Sequence, residues 1–150
     1  MTRSHAREIA LGCIFECFSR REAPEILDER INAEGIADLA SEASAYQDEL
    51  TEKDAAYIRK VVVAAAMNAE KYFSAVDALS ESWNSARIAR MTRAILCLAM
   101  AEMEYGQDVP PSVAVNEAVE LAKRYDQEKA PAYINGILGQ YLRRGTEQAK

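Results

Sequence analysis

The chain has 150 residues, 49% of them apolar and 28% charged, with a formal charge of −6. That is room for one ordinary domain with its own core, and the balance excludes both wholesale disorder and a uniformly basic nucleic-acid-binding surface. The charge is uneven, however: residues 25–54 hold ten acids against Arg30 and Lys53, and outside that stretch the chain is net +2. The longest apolar run, Val61 to Met67, is far short of the ~20 residues a membrane helix needs. The N-terminus, Met1-Thr2-Arg3-Ser4-His5, leads straight into an amphipathic segment and does not read as a secretory signal. Three cysteines, Cys13, Cys17 and Cys97, cannot all pair, and they fit a reducing cytoplasm.

Alanine is abundant, with 27 residues, and the apolar period is helical almost everywhere. The expected fold class is all-α, with about seven helices in two small packed lobes, helices 1–3 and 4–7. The first helix covers roughly 4–20, with Ala6, Ile9, Ala10, Cys13, Ile14 and Cys17 as its stripe. Pro24 opens a second, acidic helix carrying Ile26, Leu27 and Ile31, interrupted near Gly35. Thr51 and Asp54 have the spacing of a capping box, with Asp in place of the usual Glu or Gln. They open a long third helix with Ile58, Val61, Val62, Ala65, Ala69 and Tyr72 inward, followed by a short fourth helix around 74–81 capped by Ser74.

The fifth helix spans about 85–105, with Ile88, Met91, Ile95, Leu98 and Ala99 on one face, and Gly106 stops it. Pro110-Pro111 start the sixth, which runs to about Tyr125 on Val115, Ala118, Val119 and Ala122. The seventh starts near Ala130-Pro131 and uses Ile134, Ile137, Leu138 and Tyr141; Gly145 to Lys150 are expected to fray.

Enzymatic signatures are missing. The one histidine, His5, sits at the N-terminus, a poor place for a general base. Cys13 and Cys17 at i, i+4 could give two zinc ligands, but nothing nearby completes a set. They read as packed thiols, with a redox or metal role as the alternative, and Cys97 reads the same way. There is no Gly-rich phosphate loop. No catalytic residue, metal site or cofactor is expected.

Three segments carry a more specific signal. The first is Ala6-Arg7-Glu8-Ile9-Ala10-Leu11. The second is Trp83, then Arg87-Ile88, then Arg93-Ala94-Ile95-Leu96 and Leu98-Ala99, with Glu102 beyond. The third runs from Asp108-Val109-Pro110-Pro111 through Val113-Ala114-Val115-Asn116-Glu117-Ala118-Val119-Glu120-Leu121-Ala122-Lys123 to Tyr133-Ile134-Asn135-Gly136-Ile137-Leu138. Together with Asp54 and Tyr57, they resemble the NusB family of transcription antitermination factors. The resemblance covers the chain except the acidic 25–50 region.

The resemblance implies a two-lobed all-α fold and RNA binding. Such proteins pair with a small-subunit ribosomal protein of the NusE type, bind the single-stranded boxA element of ribosomal RNA leaders, and support processive transcription by the RNA polymerase elongation complex. The implied RNA face begins at Arg3, Ser4, His5 and Arg7, where free backbone N–H groups and guanidinium forks suit phosphate. By the same resemblance Tyr125 and Tyr133 stack on unpaired bases, with core packing as the alternative for both rings. Lys129 lies between them, where the family often has an acid, and is expected to add a phosphate contact. The implied partner surface is the fifth helix, at Arg87, Arg90, Thr92 and Arg93. Thr92 stands where an acid is common, and Cys97 where an Arg is frequent. Asn116 and Glu117 are read instead as satisfying backbone groups of the Pro110-Pro111 turn. Arg7→Ala and Tyr133→Ala are each expected to weaken RNA binding and leave the melting curve nearly unchanged.

The rival reading is a protein-only helical scaffold, or a homodimer that buries the same surface. The thin basic cluster and the acidic stretch favour it. In either case the chain is expected to be cytoplasmic, non-enzymatic and free of membrane contact.

Overall fold

The computed structural model describes residues 2–20, 35, 50–80, 88–106 and 109–149, with side chains described up to residue 144. Among them are six α-helices and no strand: α1 (Arg3–Arg20), α2 (Glu52–Met67), α3 (Ala69–Leu79), α4 (Arg90–Tyr105), α5 (Pro111–Tyr125) and α6 (Ala130–Ala149). The expected acidic helix over 25–39 lies outside the described residues, Gly35 excepted, as do Trp83, Arg87 and Asp108. No helix among the described residues is long and apolar enough to cross a membrane.

In α1 the predicted stripe is the buried face: Ala6, Ile9, Ala10, Cys13, Ile14 and Cys17 all lie in the core, with Leu11 beside them. The capping box opens α2 as expected. Thr51 Oγ1 accepts from the Asp54 N–H at 3.2 Å, and Asp54 Oδ2 accepts from the Thr51 N–H at 2.9 Å.

The long third helix of the sequence reading is broken, and the break falls at Asn68 rather than Ser74, which lies inside α3. Asn68 explains this locally. Its side-chain Nδ2 donates to the Ala64 carbonyl at 2.8 Å, sharing that acceptor with its own backbone N–H at 3.0 Å, and its backbone leaves helical angles at φ −108°, ψ 14°.

Helix α4 is central and packs against each of the other five helices. Its apolar residues do not keep to one face: every residue from Ala94 to Glu102 is buried. The run Ala-Ile-Leu-Cys-Leu-Ala-Met-Ala suits a helix surrounded on all sides. Fully burying each of Ile95, Leu96, Leu98 and Met100 is worth ~1.5–3 kcal/mol.

Gly106 ends α4, though not in a left-handed conformation (φ −84°). Glycine is needed there because a Cβ would meet the Glu102 carbonyl oxygen at 2.6 Å. Pro111 opens α5 as its first residue, and α6 continues through Ala149, beyond the expected fraying point at Gly145.

Candidate nucleic-acid interface

The N-terminal turn of α1 packs against α2, α4 and α5. Thr2 caps it: its hydroxyl accepts from the His5 N–H at 3.2 Å, which takes up one of the free donors expected to face phosphate. Arg3 and Ser4 are exposed and His5 is half-buried. The Arg3 guanidinium lies 3.9 Å from the centre of the Tyr57 ring on α2. Ser4 Oγ reaches Glu117 Oε2 on α5 at 3.4 Å.

Arg7 corrects the sequence expectation. Only 4% of it is exposed. Its Nε donates to both oxygens of Glu102, at 2.8 and 3.1 Å, and its Nη1 lies 3.6 Å from Glu117 Oε2. Glu102, 1% exposed in the middle of α4, also accepts a short hydrogen bond from the Tyr57 hydroxyl. Burial works against a charged guanidinium, but the Glu102 carboxylate and its hydrogen bonds outweigh it, and the Arg7 pKa ends above its ordinary value. The same burial and the same carboxylate push the Tyr57 phenol upward, so it stays protonated and donating. Arg7 is thus held inside the fold, where phosphate does not reach it.

The end of α5 joins this region through an ion pair between Arg124 and Glu8 of α1. Ser4, Glu8, Glu117, Glu120, Leu121 and Arg124 line a notch of about 140 Å³ there. Beyond Arg124 the chain presents Tyr125, 49% exposed, and Lys129, also exposed. Tyr133 is half-buried and packs against the core. Of the two aromatics, Tyr125 offers more open ring surface.

Glu117 does not serve the proline turn. It pairs with Arg7 and Ser4, while Asn116 is exposed, and the turn is closed by backbone bonds from Val113 and Ala114 to the Pro110 carbonyl.

The expected partner surface divides. Arg90 is exposed at the start of α4, and Arg93 is half-buried with its guanidinium 5.5 Å from the centre of the Phe73 ring. Both line a groove of about 760 Å³ with Phe18, Phe73, Ile88 and Glu70. Thr92, in contrast, is 5% exposed, and its Oγ1 donates to Asp126 Oδ2 at 2.6 Å. It ties α4 to the end of α5 and has no surface to offer a partner; Cys97 is likewise buried.

All three cysteines are free and buried, as packed thiols. Among the described residues no group of three or more His, Cys, Asp and Glu is placed to hold a metal ion. The sequence reading missed the roles of Thr2, Glu8, Tyr57, Glu102 and Asp126. The one visible signal was Glu102, an acid within a run of apolar residues, which needs a buried cation.

The fold and this cluster define an all-α protein whose central helix carries one half of a buried ion pair, beneath a half-buried tyrosine and an exposed arginine. Residues 4–143 match the NusB family. The transcription antitermination protein NusB of Acetivibrio thermocellus is 36% identical over 143 residues, covering 95% of this chain and 90% of that protein. That of Alkaliphilus oremlandii is 34% identical, covering 95% and 94%. The chain therefore belongs to the NusB family. Among solved structures, Thermotoga maritima NusB superposes with a TM-score of 0.73 at 24% identity, over 93% of this chain and 89% of that one. A chain from a complex of antitermination factors NusB and NusE with double-stranded RNA superposes at 0.69 and 23% identity, over 93% and 96%. These two show the shared fold.

Proposed function

We propose that the chain is a non-enzymatic RNA-binding adaptor of transcription antitermination. With a NusE-type ribosomal protein it binds single-stranded boxA RNA in ribosomal RNA leaders in the cytoplasm and supports the RNA polymerase elongation complex. The observation that carries this reading is the family match along nearly the whole chain, with curated relatives named for antitermination. A complex of antitermination factors NusB and NusE with double-stranded RNA among the fold neighbours supports the choice of RNA and a NusE-type protein as partners.

Arg3, Tyr125 and Lys129 are the exposed residues that suit RNA, by phosphate contact and base stacking. Ser4, His5 and Tyr133 border them. The groove with Arg90 and Arg93 suits the partner protein, its guanidinium groups framing two aromatic rings. Helices 1–3 and 4–7 of the sequence reading would then act as two lobes joined across α4.

Anisotropy titration of labelled boxA-type RNA at low salt, with and without the NusE-type protein, tests the proposal. Binding strengthened by the partner is expected; no partner-dependent binding overturns it. One observation favours the rival scaffold or homodimer. Glu8 and Glu117 already engage Arg124, Arg7 and Ser4, which leaves few free cations near α1. Sedimentation across protein concentrations separates that reading: a monomer at micromolar concentration counts against the homodimer.

A further inference from the structure

Arg3 and Arg7 are one helical turn apart on the same face of α1. Arg7 is fixed by Glu102 of α4; Glu102 in turn accepts the hydroxyl of Tyr57 from α2; and the Tyr57 ring lies under the Arg3 guanidinium at 3.9 Å. The contacts form a closed circuit: α1 to α4 to α2 and back to α1. Its inner members are Arg7, at 4% exposure, and Glu102, at 1%; Tyr57 is half-buried and Arg3 exposed. A long side chain at the first residue of a helix ordinarily samples many rotamers, and ordering it costs free energy on binding. Here the guanidinium carbon lies 3.9 Å from the centre of a ring whose hydroxyl is held by the buried Glu102 carboxylate. Arg3 is exposed, which puts its guanidinium within reach of an oxyanion from solution.

We propose that Tyr57 is a positioning residue for RNA binding: it holds the Arg3 guanidinium in place for a phosphate of the bound strand, and acts only through Arg3. This rests on the RNA-binding reading above. Tyr57 does not touch RNA; the buried Arg7–Glu102 pair fixes the ring and the ring fixes the arginine. The family residues that prompted the RNA reading do not predict this division of labour, in which one N-terminal arginine serves the fold and the other the ligand.

The test is a double-mutant cycle in RNA affinity, measured with the chain and its NusE-type partner on boxA-type RNA. Tyr57→Leu removes the ring and is expected to weaken binding about two- to fivefold, the range of an exposed cation–π contact. In the Arg3→Ala background the same change is expected to cost nothing further. Tyr57→Phe keeps the ring but loses its hydrogen bond to Glu102, and is expected to bind more tightly than Tyr57→Leu and more weakly than wild type. Equal losses from Tyr57→Leu with and without Arg3 overturn the inference, as does a Tyr57→Phe variant as weak as Tyr57→Leu.

A thermal melt of each variant checks folding. Should Tyr57→Leu fail to fold, the wild-type chain carries the test by NMR. The Arg3 side-chain protons are expected to resonate upfield under the ring, both free and RNA-bound; ordinary shifts in either state overturn the inference. If the wild-type pair does not bind the RNA at all, the RNA reading falls and this inference with it. Binding with additive losses removes this inference alone.

Discussion

A guanidinium gripped by one carboxylate and near a second, as Arg7 is, has little left to offer a phosphate. Glu102 is buried so completely that removing its cation strands a charge in the core. Arg7→Ala is therefore expected to lower stability by about 3–5 kcal/mol, read by urea denaturation followed by circular dichroism. A loss below about 1 kcal/mol, the range of an exposed pair, would show that the pair is not held as described. The sequence expectation of an unchanged melting curve for Arg7→Ala is reversed here. Arg3 and Arg7 look alike in the sequence because both stand near a helix start; only the position of Glu102, 95 residues away, separates them. The cysteines were more legible, since their place in apolar stripes already read as packing. Burial pushes the Cys97 thiol well above its usual range, with Arg93 opposing weakly. All three thiols are expected to resist alkylation in the native chain and to react together on unfolding. Rapid modification of any one at neutral pH would contradict their burial.

At the scale of the helices, local signals placed most boundaries. Thr51 with Asp54, and Pro111 at the start of α5, fall where the sequence puts them. The break at Asn68 was hidden because the apolar period runs on through it to Tyr72, whereas the side-chain bond from Asn68 to the Ala64 carbonyl is a matter of rotamer. Thr51→Ala is expected to cost roughly 0.5–2 kcal/mol in the same denaturation assay. The box also makes stability depend on pH. Burial would raise the Asp54 pKa, but the backbone and hydroxyl bonds from Thr51 outweigh it and hold it below its ordinary value of 3.8. A carboxylate with a depressed folded pKa stabilises the fold above its unfolded pKa. That contribution is lost as pH falls below 3.8 through the folded value. The stability difference between wild type and Asp54→Asn is thus expected to be full at neutral pH and to shrink in acid; a difference that persists undiminished at the acid end would contradict the capping geometry. Helix α4 gives a further test. Ala101 is fully buried in a helix with neighbours on every side, so Ala101→Leu is expected to destabilise by about 1–3 kcal/mol through overpacking. The sequence showed one apolar face of α4 because periodicity counts large residues; the alanines between them are what let other helices approach.

For the molecule as a whole, the charge of −6 describes no particular surface. Ten acids fall in 25–54, eight of them outside the described residues, while the notch beside the α1 start sets Arg124 among Glu8, Glu117 and Glu120. The all-α class and the family were legible because they rest on periodicity and on residues in order along the chain. Which members of a family motif face solvent was not, since that depends on long-range pairs such as Arg7–Glu102, Glu8–Arg124 and Thr92–Asp126. The central proposal is that RNA contacts Arg3 at the start of α1 and Lys129 in the turn between α5 and α6. The most direct measurement is the salt dependence of RNA affinity for the chain with its partner, wild type against Arg3→Ala/Lys129→Ala. Each phosphate contact to a single strand contributes about −0.7 to the slope of log affinity against log salt. The double variant is expected to bind more weakly with a slope shallower by roughly 1.4; an unchanged slope and affinity would contradict the claim.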